Sequence, residues 1–156
     1  DYDIEGLRIL ELGCGMALSS LVLNKRMADI TATDYHPEAE DFLRQNAELN
    51  NDRVIPFIRT GWTDENNSHN SGLGYFDLIL GSDLLYEAGH VEQLSAFINR
   101  HAQQTCKVIL VDPGRGHHAR FSRQMVSLGF THSQHKPEST PYLNQPFKGQ
   151  ILHYSR

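Results

Sequence analysis

Residues 8–17 read RILELGCGMA, an apolar run that ends in an acid and is followed by two glycines with one residue between them. Twenty-one positions after Gly13 a second run, ADITATD at 28–34, ends in another acid, Asp34. A buried strand that feeds a glycine turn opening a helix, with the next strand ending in a carboxylate, is the pattern of a nucleotide cradle. The glycines permit positive φ and close backbone approach to a ligand. The carboxylate is suited to accept both hydroxyl hydrogens of a ribose.

Outward from this stretch, apolar runs alternate with helix-period segments, as in a parallel sheet covered on both faces. Strands are expected at Leu7–Leu12, Asp29–Thr33, Val54–Ile58, Phe76–Leu80 and Lys107–Val111. Leu18, Leu21 and Val22 are spaced as one face of a helix after the glycines. Pro37 suits a helix first turn, with Ala39, Phe42, Leu43 and Ala47 along one face until Asn50 and Asn51. Val91, Leu94, Phe97 and Ile98 mark a third helix, and Phe121, Met125 and Leu128 a fourth that Gly129 ends. The polar stretch from Thr63 to Gly74 reads as an exposed loop. Two weaker strands, Phe130–Gln134 and Gln150–Tyr154, are joined by a proline-bearing loop too short for a crossover helix, so they should pair antiparallel at one edge. The expected fold is therefore α/β: a Rossmann-like, doubly wound, mostly parallel seven-stranded sheet with an antiparallel edge strand and helices on both faces. One domain spans residues 1–156. Ligands of such sheets bind at the carboxyl ends of the strands, at positions 13–17, 34–36, 60–64, 81–86 and 112–116.

The composition is that of an ordinary globular domain, 39% hydrophobic and 21% charged. Fourteen basic against nineteen acidic residues give a net charge of −5, which offers no electrostatic footprint for nucleic acid and no polybasic surface for a membrane. No segment approaches the roughly 20 apolar residues of a membrane span. A cytoplasmic monomer is the expectation. Cys14 and Cys106 are far apart, match no metal-ligand spacing and read as small buried hydrophobes. Among the nine histidines, His132 and His135 would face opposite sides of a strand, and His117 and His118 diverge on a helix. No metal site is expected.

The glycine turn departs from the dinucleotide fingerprint. Leu18 stands where a third glycine is needed, and Glu11 precedes the turn, where a pyrophosphate would be repelled and an ammonium attracted. The plainer reading is a tight strand–helix turn without a ligand. For Asp34 the alternatives are a ribose ligand and a helix cap ahead of Pro37. His36 reads as a turn residue.

ELGCGMA at 11–17, TATD at 31–34 and FDLILGSDLLY at 76–86 together resemble the class I, seven-strand, S-adenosylmethionine-dependent methyltransferases, in matching order along nearly the whole chain. The resemblance implies S-adenosylmethionine as cofactor, with Glu11, Gly13 and Gly15 near its methionine part and Asp34 on its ribose. It implies that Gly61 and Trp62 lie near the adenine; a capping aromatic over a core edge is the other reading of Trp62. Ser82-Asp83-Leu84-Leu85-Tyr86 resembles the Asp-x-x-Tyr motif of the subgroup that includes protein-lysine methyltransferases and is similar to nicotinamide N-methyltransferase. Ser82 is thereby a cofactor residue, Asp83 the group that orients the acceptor amine (or caps the next helix), and Tyr86 a wall of the pocket. Asp112-Pro113-Gly114-Arg115 resembles the matching segment of lysine methyltransferases acting on the electron transfer flavoprotein beta subunit, or is a plain turn.

The implied activity is methyl transfer to nitrogen, foremost a protein lysine. A small amine or heteroaromatic acceptor, and an idle cofactor- or partner-binding domain, are the alternatives. A nicotinamide oxidoreductase ranks last because of Leu18 and Glu11. About six residues precede the first strand, where relatives carry a longer segment, so an amino-terminal extension is expected to be lacking.

Overall fold

A computed structural model describes residues 2–63, 72–137 and 143–156. In chain order the elements are β1 (Arg8–Leu12), α1 (Leu18–Lys25), β2 (Asp29–Asp34), α2 (Ala39–Leu49), β3 (Phe57–Arg59), β4 (Phe76–Ser82), α3 (His90–His101), β5 (Ala102–Asp112), α4 (His118–Ser127), β6 (Thr131–His135) and β7 (Gln150–Ser155). The seven strands form one sheet in the order β3-β2-β1-β4-β5-β7-β6. Strands β1 to β5 pair in parallel, and β7 runs antiparallel to both β5 and β6. The antiparallel pairing thus lies at one edge, with β7 inserted between β5 and the outermost strand.

The pleat divides the apolar residues of β1 between two cores. Ile9 joins Leu23 of α1, Ile30 of β2, Leu43 of α2 and Leu78 of β4 on one face. Leu10 and Leu12 join Val91, Leu94, Phe97 and Ile98 of α3 and Phe121 and Met125 of α4 on the other. Each fully buried side chain of that size stabilises the fold by about 1.5–3 kcal/mol. This double covering is why the parallel strands read as unbroken apolar runs.

Three expectations need correction. In α1 the expected apolar face is turned outward: Leu18 and Val22 are 72% and 53% exposed, while Ser20, Leu23 and Asn24 are buried. The cause is polar. Ser20 meets the Glu11 carboxylate, and Asn24 pairs with both the carbonyl and the guanidinium of Arg53. Strand β3 begins at Phe57 rather than Val54. Val54 is 90% exposed, and Pro56, without an N–H, joins the sheet only by accepting from Ala32 N–H at 2.9 Å. Strand β5 starts five residues before Lys107, directly after α3, across a register shift against β4 between Phe76 and Leu78. The polar Gln103-Gln104-Thr105 hides that extension from an apolar-run reading. Most of the expected loop at 63–74, and part of the proline-bearing one, lie outside the described residues.

Cys14 and Cys106 are buried and unpaired, and burial pushes their thiols up to about 12 and about 11. His132 stacks on Tyr154, and His135 on His153, which adjoins Tyr154 on β7. Among the described residues no helix is long and apolar enough to cross a membrane.

Candidate active site

Because β1 to β5 are parallel, the segments that leave their carboxyl ends converge on one side of the sheet. After β1, Gly13 has φ +58° and Gly15 φ +51°, in the left-handed region that favours glycine. A Cβ on Gly13 would lie 2.6 Å from Leu84 Cδ2, and one on Gly81 would overlap the same leucine. The buried Leu84 fills the hollow those two glycines leave, and so couples the turn after β4 to the turn after β1.

Asp34, at the end of β2, holds the glycine turn from the side. Its Oδ2 accepts the Gly15 N–H at 2.8 Å and its Oδ1 accepts the His36 N–H, also at 2.8 Å. Asp34 therefore orders the approach to α2 without capping it, since the N-cap is Glu38 and no side chain bonds there. Each carboxylate oxygen accepts a single protein hydrogen bond and keeps further acceptor capacity.

Glu11 lies beneath the turn rather than in the cavity. It is buried, and its Oε2 accepts both the backbone N–H (2.9 Å) and the hydroxyl of Ser20. Burial, outweighing the Ser20 and Ser19 hydrogen bonds, raises its carboxyl above the ordinary range, with Asp34 adding a smaller push in the same direction. A raised carboxyl means that the fold prefers the protonated form. Its stabilising contribution is complete below the ordinary carboxylate range and is lost as pH rises through the raised value. Glu11→Gln keeps an acceptor for Ser20 and removes the buried charge. The expected outcome is an unfolding free energy from urea titration at pH 8 equal to that of the parent or up to about 1 kcal/mol above it, and a flatter stability curve between pH 4 and 8. A variant that loses stability at pH 8 would contradict this.

A cavity of about 460 Å³ opens above these turns, lined by Gly13, Asp34, Tyr35, Thr60, Gly61, Trp62, Ser82, Asp83, Leu84, Tyr86, His90 and neighbours. That volume suits a nucleoside-sized ligand. Of the nine residues expected at a site, seven line it; Glu11, buried beneath the turn, and Gly15, exposed on it, do not. Trp62 both lines the cavity and packs against the larger core, so its two readings describe one position. Of positions 60–64, Asp64 lies outside the described residues. No lysine or arginine lines the cavity among the described residues, whereas two carboxylates do. A diphosphate would find no cation in that lining, and a cationic ligand would find complementary charge at Asp34, Asp83 being paired with Arg115.

His90 had no signal in the apolar pattern, because it is a polar residue opening a helix. Its Nδ1 lies 3.1 Å from the Leu84 carbonyl oxygen, which can only accept, so Nδ1 carries the proton. The ring makes edge contacts with Trp62 (5.3 Å) and Tyr86 (4.6 Å), tying the end of β3 to the turn after β4.

Asp83 carries φ +56°, a left-handed conformation that costs on the order of 1 kcal/mol in a residue with a Cβ. Two bonds hold it there. Its N–H donates to the Val111 carbonyl at 2.8 Å, extending the ladder to β5. Its carboxylate is gripped by Arg115, Nε to Oδ1 at 2.5 Å and Nη2 to Oδ2 at 2.6 Å. The guanidinium holds the Asp83 carboxyl below its ordinary value. A second concavity, of about 470 Å³, is lined by Asp83, Tyr86, Pro113, Gly114 and Arg115. The two cavities share Asp83 and Tyr86. A further hollow between α4 and β6, lined by His118, Ser122, Val126 and His132 among others, shares no residue with either.

Residues 1–125 match the family model described as lysine methyltransferase. The chain is 34% identical over 88 residues to protein N-lysine methyltransferase METTL21A of Danio rerio, covering 54% of this chain and 39% of that protein. It is 30% identical over 113 residues to a histidine protein methyltransferase 1 homolog of Dictyostelium discoideum, covering 69% of this chain and 35% of that protein. The matches thus span well under half the length of these relatives. In fold, the chain resembles a methyltransferase from Pyrococcus furiosus (TM-score 0.73, 22% identity, 96% of this chain and 75% of that one). It also resembles magnesium protoporphyrin IX methyltransferase from Synechocystis, solved with bound S-adenosylmethionine (TM-score 0.74, 20% identity, 99% and 72%). The family match over most of the chain, on a seven-stranded sheet with the cavity at its strand ends, places the chain in the lysine methyltransferase family of class I S-adenosylmethionine-dependent methyltransferases.

Proposed function

We propose that this domain binds S-adenosylmethionine in the cavity above the glycine turn and directs its methyl group to a nitrogen acceptor, a lysine side chain of a protein. The observation that carries the reading is the shared border of the two cavities at Asp83 and Tyr86. A cofactor in one and an acceptor in the other would meet at those two residues.

The residues fit the cofactor. Gly13 presents bare backbone to the cavity wall, Asp34 has acceptor capacity for ribose hydroxyls, Gly61 and Trp62 offer a wall for adenine, and Ser82 adds a polar edge. The absence of cations from the described lining suits a sulfonium better than a diphosphate. When bound, the cofactor supplies a methyl group already activated by its positive sulfur.

The protein's task is then to position a nitrogen lone pair. An ammonium has no lone pair, so the acceptor must reach the junction uncharged. The Asp83 carboxylate can accept an N–H of that amine and so aim its lone pair, while Tyr86, held edge-on against His90 and lining both cavities, limits the acceptor's width. Glu11 acts through the turn by bracing Ser20 at the start of α1.

Incubation of the domain with methyl-labelled cofactor and a cell lysate, followed by gel separation and hydrolysis, tests the acceptor. The expected result is a labelled protein band yielding methyl-lysine. Label confined to the small-molecule fraction would replace lysine by a small amine. Cofactor binding without any labelled product would favour an idle domain.

A further inference from the structure

The segment Asp112-Pro113-Gly114-Arg115 borders the second concavity and not the one above the glycine turn, and its geometry is closely specified. The Asp112 carboxylate accepts the Gly114 N–H at 3.0 Å. Gly114 and Gly116 sit at φ +100° and +90°. On the other side, Gly149 packs so tightly that a Cβ there would overlap the Asp112 carbonyl and come within 2.8 Å of Pro113 Cα. This loop delivers Arg115 to Asp83 across 32 positions of sequence, with both carboxylate oxygens engaged.

Resting on the acceptor reading above, we infer that Arg115 is a positioning residue that aims and neutralises Asp83, so that the junction favours an uncharged amine over an ammonium. A bare carboxylate would bind the ammonium, strengthen its hold on the extra proton and leave no lone pair to react. A carboxylate already paired with a planar guanidinium keeps lone pairs to accept an N–H. Its net charge toward the acceptor is close to zero. The bidentate fork also fixes the carboxylate plane, which a single point charge would not. Asp112 and Tyr86 are the other titratable groups whose charge reaches Arg115. Asp112 is buried and turned to its own loop, so Asp83 remains the carboxylate that faces the second cavity.

The test uses the intact chain saturated with S-adenosylhomocysteine, and n-butylammonium chloride as a probe of a protonated lysine side chain, followed by NMR at pH 7. Arg115→Met should strengthen n-butylammonium binding at least threefold and return the Asp83 carboxyl toward its ordinary titration range. It should leave S-adenosylhomocysteine affinity within twofold. Arg115→Lys should restore the weak ammonium binding without the fixed carboxylate plane, and adding Asp83→Asn to Arg115→Met should abolish the gain. Unchanged or weaker n-butylammonium binding in Arg115→Met would overturn the inference. Should that variant not fold, Arg115→Gln, which keeps a donor and loses the charge, decides by the same comparison. Failure of the cofactor reading would appear separately, as no S-adenosylhomocysteine binding by the unmodified chain. The n-butylammonium comparison without it would still decide the role of Arg115.

Discussion

Asp34→Ala should lower the affinity for S-adenosylhomocysteine by about 3 kcal/mol, roughly a hundredfold. The loss has two sources. The carboxylate is the proposed acceptor for the ribose hydroxyls, and it also clamps the Gly15 and His36 amides. Without it the glycine turn loses its lateral support and the cofactor loses a charged partner. Trp62 is the only tryptophan and lines the cavity, so its fluorescence provides the titration signal. Asp34→Asn, which keeps one acceptor oxygen, should fall between the two. Affinity unchanged within twofold in Asp34→Ala would reduce Asp34 to a brace for the Gly15 and His36 amides.

Gly13→Ala should destabilise the domain by about 2 kcal/mol and weaken the cofactor at least tenfold. Two causes add. An L-residue at φ +58° pays roughly 1–2 kcal/mol of backbone energy, and the new Cβ meets Leu84 Cδ2 at 2.6 Å. Leu84 is buried over Gly81 in the larger core, so it has little room to retreat, and any movement disturbs the neighbouring Asp83. Gly15→Ala is the control. It has a similar φ of +51° but nothing within 4 Å of the added Cβ, so only the conformational cost should remain. Thermal unfolding checks both: a drop of roughly 4–8 °C for Gly13→Ala at about 2–4 °C per kcal/mol in a domain of this size, and about half that for Gly15→Ala. Equal drops would show that Leu84 yields.

These two positions were also the most legible. A glycine turn between an apolar strand and a helix leaves a sharp local mark, and an acid at the end of the next strand falls at a fixed distance along the chain. The central strands were readable because burial on both faces makes them continuously apolar. What escaped was stabilised by polar groups or by distant pairing. The facing of α1 depends on Ser20 meeting Glu11 and Asn24 meeting Arg53, and a hydrophobic period does not register buried polar residues. The amino-terminal part of β5 is polar in sequence and is placed by the register shift against β4. His90 joins the site through a carbonyl and two aromatic edges. Arg115 reaches Asp83 only through the order of β4 and β5 in the sheet. The motifs carrying Arg115 and Asp83 were both visible; their pairing was not.

A calorimetric titration of the unmodified domain with S-adenosylhomocysteine, set beside the same titration with NAD, bears most directly on the cavity above the glycine turn. One-to-one, micromolar binding of S-adenosylhomocysteine and no heat with NAD are expected. Binding of NAD with none of S-adenosylhomocysteine would contradict the cofactor reading.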